Sequence, residues 1–141
     1  ALAGLPSDHA TEAARLGQQA QGSPGFAREL AETGAGRIFS RFAQAAERGS
    51  IDQATRMQVA TELHGRGTDD RFRLFCGLLE GWLASSARVA AATPATAARA
   101  LALAEAHGRI AHSIRETNAL NLDRRLTMLQ AFDLIDKARR P

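Results

Sequence analysis

Alanine accounts for 30 of the 141 residues and recurs with larger apolar residues at helical spacing. Tyrosine is absent, and Phe and Trp together total seven. No segment shows the sustained apolar–polar alternation of a half-buried strand. Because alanine is the best helix former while strands favour aromatic and β-branched side chains, the sequence predicts an all-α protein without a sheet.

Capping residues, prolines and glycines divide the chain into helical segments. Short helices are predicted over about 8–21 and 24–32, the second beginning at a Ser23 cap with Pro24 in its first position. A further helix is predicted over 36–48, and another begins at a capping box formed by Ser50 and Gln53. Three more are predicted over 69–91, 95–119 and 122–138, with Asn121 as the last cap. The short connections favour antiparallel neighbours, so we expect a bundle of about five helices preceded by one or two short ones.

The segment 69–91 carries the densest stripe of large apolar residues and is predicted to be the central helix. That stripe consists of Phe72, Phe75, Leu78, Leu79, Trp82, Leu83 and Val89. Trp82 has two interpretations, a core residue at this spacing or an anchor for a partner, since Trp is enriched at interface hot spots.

The formal net charge of +3 lies entirely in the C-terminal part, because residues 99–141 carry eight basic and five acidic groups. Lys137, Arg139 and Arg140 form a basic end that suits either nucleic acid or the helix dipole. A single cysteine, Cys76, excludes an internal disulfide. No apolar run has the length to span a bilayer, and the first residues lack the basic start of a secretory signal, so we expect a cytoplasmic chain. The missing initiator Met suggests a segment of a longer protein.

The stretch QGSPGFAREL, residues 21–30, invites comparison with phosphate-binding loops. Its proline removes a backbone donor and no lysine follows, so the sequence favours a joint between two helices. His107 and His112 stand five residues apart, about 140° around a helix, which disfavours shared metal coordination. We expect no catalytic site, no metal and no cofactor in this segment.

Three stretches resemble the C-terminal part of the delta-prime subunit of the bacterial DNA polymerase III clamp loader. They are AQGSPGFAREL (20–30), GTDDRFRLFCGLLEGWLASSAR (67–88) and ETNALNLDRRLTMLQAF (116–132). The most specific is the last, whose Asn-Leu-Asp-Arg-Arg core is similar to the start of that family's final helix.

The resemblance implies two domains: the end of an AAA+ lid over 1–35 and a helical collar for oligomerisation over 36–141. It implies a non-catalytic role in a five-subunit ring with gamma/tau and delta subunits, which loads the sliding clamp onto primed DNA. The lid position of the family's nucleotide-sensing arginine falls on Gly25, with Arg28 one helical turn further on. Glycine there agrees with a subunit that does not sense bound ATP.

The candidate contact residues for neighbouring subunits, or for neighbouring helices, are Asn121, Asp123, Arg124, Arg125 and Trp82. Capping and solvation are the alternative interpretation of the first four. Alternative functions are a gamma/tau or delta collar, or a helical DNA-binding or regulatory module that uses the basic C-terminus.

Overall fold

The computed structural model describes residues 24 to 140, and all the regular structure in that range is helical. The α-helices are α1 (Pro24–Thr33), α2 (Ala35–Glu47), α3 (Gln53–Glu62), α4 (Asp69–Ala91), α5 (Ala97–Leu120) and α6 (Arg124–Arg139), and a 3₁₀ turn (Pro94–Thr96) precedes α5. The predicted all-α helical bundle is confirmed. The helix predicted over 8–21 and the Ser23 cap lie outside the described residues.

Two predicted helix starts are wrong. Asp52, not Ser50, is the N-cap of α3, and its carboxylate accepts from the Thr55 amide at 3.3 Å. Asp123, not Asn121, is the N-cap of α6. In both places two residues that favour N-caps stand two positions apart in the sequence, and the second of them caps the helix.

Helix α5 packs antiparallel against both α4 and α6, and these two pairs make the most extensive helix contacts in the fold. The connection through Pro94–Thr96 turns α5 back along α4, while a tight turn at 121–123 returns α6 along α5. Helix α3 packs on α6 and α2, and α2 packs on α4. The predicted central position of α4 follows from these contacts.

An aromatic cluster forms the centre of the core. Phe42 of α2 is fully buried, and its ring centroid lies within 6.3 Å of four other aromatic rings. These rings belong to Phe39, Phe75, Trp82 and Phe132. Because α2, α4 and α6 each contribute to the cluster, burial of these rings fixes the three helices against one another.

Helix α1 packs on the same core as the other described helices. Leu30 is fully buried, and Arg71 of α4 donates from Nε to the Thr33 carbonyl at 2.8 Å and from Nη1 to the Glu62 carbonyl at 3.0 Å. One guanidinium therefore satisfies the open carbonyl ends of α1 and α3. The predicted lid–collar boundary at 35/36 coincides with the turn at Gly34, whose φ is 80°, and its status as a domain boundary stays a prediction.

Candidate interaction surface

The turn between α5 and α6, together with the first two residues of α6, contains four of the five candidate contact residues. Asn121 ends α5 in the left-handed conformation, at φ 53° and ψ 49°, and its amide reaches the Thr117 carbonyl. The Leu122 amide donates to the same carbonyl at 3.0 Å. This is a Schellman-type helix end, a role that asparagine fills readily because it tolerates positive φ.

Asp123 begins α6 immediately after this turn. Its carboxylate accepts from the amides of Arg125 at 2.9 Å and Leu126 at 3.4 Å. Beneath the turn, the hydroxyls of Thr117 and Thr127 lie 2.7 Å apart, and both residues are buried. The turn is therefore fixed at both helix ends and underneath. Nothing in the helical period of the sequence pointed to the two threonines.

Arg124 connects the start of α6 to the start of α4. Its guanidinium binds the Asp69 carboxylate, lies 3.2 Å from the Thr68 hydroxyl, and stacks over the Phe72 ring with its central carbon 4.8 Å from the centroid. Arg124 is thus an interhelix anchor, one of the two roles predicted for it. Arg125 is half exposed, and its closest carboxylate is that of Asp123 at 4.0 Å.

Three leucines at this turn are largely exposed, although leucine usually lies in a core. The exposed fractions are 66% for Leu120, 47% for Leu122 and 54% for Leu126. We call residues 120–122 together with Asp123, Arg125 and Leu126 the junction patch. Leu126 is exposed although Met128 and Phe132, further along the same helix, are fully buried. Beside the patch, a groove of about 500 Å³ runs to His64 and Gly65.

Trp82 lies half in the core and half at the surface. Its ring forms an edge-to-face pair with the Phe42 ring at 5.1 Å between centroids, and the Arg139 guanidinium lies over the Trp82 ring at 5.8 Å. Lys137, in the same last turn of α6, forms an ion pair with Asp133 at 3.0 Å. Two of the three basic residues at the C-terminal end are therefore already engaged within the chain.

A buried ion pair joins α3 to α6, and no local sequence pattern indicated it. The carboxylate of Asp136 is 8% exposed, binds the Arg56 guanidinium, and accepts from the Ile51 amide at 3.3 Å. Arg56 in turn donates from Nε to the Ile51 carbonyl at 2.8 Å. The arginine and the aspartate both hold the segment that leads into α3.

Cys76 is the one cysteine of the chain, and it lies in the core. Cys76 is 3% exposed, and burial, assisted by the negative charge of Glu80, raises the pKa of its thiol far above its ordinary value. Within residues 24 to 140, no three His, Cys, Asp or Glu side chains are grouped so that they could hold a metal ion. Of the helices in that range, none combines the length and apolar character needed to cross a bilayer.

Gly25 lies in the first turn of α1, and a side chain there would meet no other atom within 4 Å. Steric crowding therefore does not require glycine, which costs a helix about 1 kcal/mol relative to alanine.

Comparison of the chain with protein-family models, with curated proteins and with solved structures gave no match.

Proposed function

We propose that the chain is the end of the lid and the collar of a delta-prime-type clamp-loader subunit. In this role it would contribute rigid helix faces to a five-subunit ring with gamma/tau and delta subunits, in the cytoplasm. The complete ring would load the sliding clamp onto primed DNA. The segment would supply contacts and no chemistry of its own.

The junction patch carries this proposal. Three large leucines within seven residues remain exposed on a backbone that hydrogen bonds hold at both helix ends. Isolated exposed leucines are ordinary, whereas a group of them on one rigid turn is typical of a surface that a partner covers. The patch falls within the stretch 116–132, which carries the most specific part of the resemblance.

Co-assembly with purified gamma/tau and delta subunits, measured by size-exclusion chromatography, tests the proposal. The double variant L122S/L126S removes two leucines that are about half exposed. Each would contribute about 1 kcal/mol on burial in an interface, so affinity should fall roughly thirtyfold. Met57, 44% exposed on α3, provides the matched control as M57S.

Circular dichroism should give the same helix content for all three chains, since the changed side chains lie largely outside the core. Failure of the unaltered chain to join the ring would refute the proposal. Equal assembly of the double variant and the control would remove the junction patch from it. A Walker loop upstream in the parent gene would favour a gamma/tau collar instead.

A DNA-binding or regulatory module is the alternative from another class, supported by the C-terminal excess of positive charge. Its support is reduced by the Lys137–Asp133 pair and the stacking of Arg139 on Trp82. Fluorescence anisotropy with duplex and primed DNA distinguishes it, because binding through phosphates must weaken steeply with salt.

A further inference from the structure

The end of the bundle opposite the junction patch contains a pocket of about 540 Å³ beside Trp82. It lies where α4 ends, α5 begins and α6 ends. Trp82, Val89, Ala90 and Leu103 form an apolar wall, and Val89 is 72% exposed. A volume of this size with an apolar wall and a few polar groups is typical of ligand sites.

Charge around the Trp82 pocket has one sign. The sequence holds no Asp or Glu between Glu80 and Glu105, and that interval includes Arg88 and Arg99. Arg99 and Arg139 both line the pocket, and within residues 24 to 140 no carboxylate does. Such a cavity attracts an anionic group.

Arg139 supplies a second, independent observation. Its Nη1 atom is buried, and no atom among the described residues accepts a hydrogen bond from it. Buried charged donors are rarely left without an acceptor, because desolvation without a hydrogen bond is costly. The residue as a whole is partly exposed and lines the pocket, so a carboxylate there would neutralise this incompletely paired guanidinium through its accessible side, in the charge-assisted bond that guanidinium groups favour.

The apolar wall distinguishes between anionic ligands. A free phosphate would engage the arginines and leave the wall exposed to water. A nucleic-acid base would have to stack on the Trp82 ring, but the Arg139 guanidinium already lies over that ring and the Phe42 ring lies 5.1 Å from it between centroids. A peptide with a carboxylate next to a large apolar side chain satisfies both the arginines and the wall.

We propose that the Trp82 pocket binds a peptide segment that presents an acidic residue beside a large apolar residue. This inference does not depend on the collar function, because it rests on the pocket and its charges alone. Trp82, the only Trp in a chain without Tyr, gives a fluorescence signal that reports on this site.

The test titrates the full chain with acetyl-Asp-Leu-Phe-Asp amide while following Trp82 emission. We expect a saturable change, with the neutral peptide acetyl-Asn-Leu-Phe-Asn amide binding at least about tenfold more weakly. R139Q and R99Q should each weaken the acidic peptide roughly tenfold. Arg115, exposed on the same helix about 24 Å from Arg99, provides the charge-matched control as R115Q, which should bind normally.

Arg99 is exposed, so R99Q keeps the test valid if R139Q destabilises the fold. The proposal is overturned by the absence of saturable binding, by equal affinity for the neutral peptide, or by normal binding in both R99Q and R139Q. Tighter binding of inorganic phosphate or of a short deoxythymidine oligonucleotide would also overturn it, in favour of a phosphate site.

Discussion

Replacing Asp136 by alanine should destabilise the protein more than any other single charge removal in the described range. The variant D136A leaves the Ile51 amide without its acceptor and separates Arg56 from its closest carboxylate. Losing hydrogen bonds to a charged group costs about 1.5–3 kcal/mol, and breaking a buried ion pair costs about 3–5 kcal/mol. Because Arg56 keeps the Ile51 carbonyl and has Asp133 at 3.9 Å, we expect the lower end, about 3 kcal/mol.

Two milder substitutions separate the contributions to this value. D136N keeps an oxygen that can accept from the Ile51 amide but loses the charge, so it should cost about half as much as D136A. D133N is the matched control, because Asp133 is 49% exposed and pairs of that kind contribute less than about 1 kcal/mol.

Urea unfolding followed by circular dichroism measures these differences, and thermal unfolding should show a fall of about 12 °C for D136A. In the double variant R56M/D136A the loss should be smaller than the sum of the single losses, because both side chains belong to one network. If D136A unfolds at the same urea concentration as D133N, the buried pair does not hold α3 to α6, and the reasoning is refuted.

Three further predictions concern the thiol and the α5–α6 turn. Because burial raises the Cys76 pKa, only the unfolded chain loses the thiol proton above about pH 8.5, so the free energy of unfolding should fall by about 2 kcal/mol by about pH 10. In urea unfolding, C76A should not show this fall with rising pH. An identical fall in C76A would contradict the raised thiol pKa. D123A should cost about 1 kcal/mol as a lost N-cap, and D123N, which can still cap, much less. N121G should be as stable as the unaltered chain or more so, whereas N121V should lose about 1 kcal/mol or more, because valine does not tolerate positive φ. Equal unfolding midpoints for N121G and N121V would exclude a left-handed backbone at residue 121.

Helix positions were predictable where the signals were local. The bounds of α4 coincide with the prediction, since Thr68, two first-turn aspartates and the later Thr-Pro break mark its ends. The start of α6 was misplaced because Asn121 and Asp123 both favour caps. Only the left-handed backbone at Asn121 distinguishes a helix end from a helix start, and the residue type alone does not fix that conformation.

Side-chain partners far apart in sequence were not predictable. Arg56 and Asp136 are separated by 80 residues, and nothing near either one indicates the other. The helical period also failed to separate core from surface: Val89 belongs to the apolar stripe predicted for the central helix, yet it is 72% exposed. Periodicity identifies an apolar face but not whether a helix of the same chain covers it.

The exposure of the junction patch has consequences because its backbone is already ordered. Binding normally costs free energy to immobilise loops, and that cost lowers affinity for the same buried area. At this turn the Leu122 amide is held by Thr117, Asp123 caps α6, and the paired hydroxyls of Thr117 and Thr127 lie beneath. A partner that covers the three leucines would therefore gain apolar burial without having to order the turn. T127V tests this, because it keeps every exposed atom of the patch but removes the buried hydroxyl contact. It should weaken co-assembly while leaving the leucines in place, and unchanged co-assembly would show that the rigidity of the turn contributes nothing to binding.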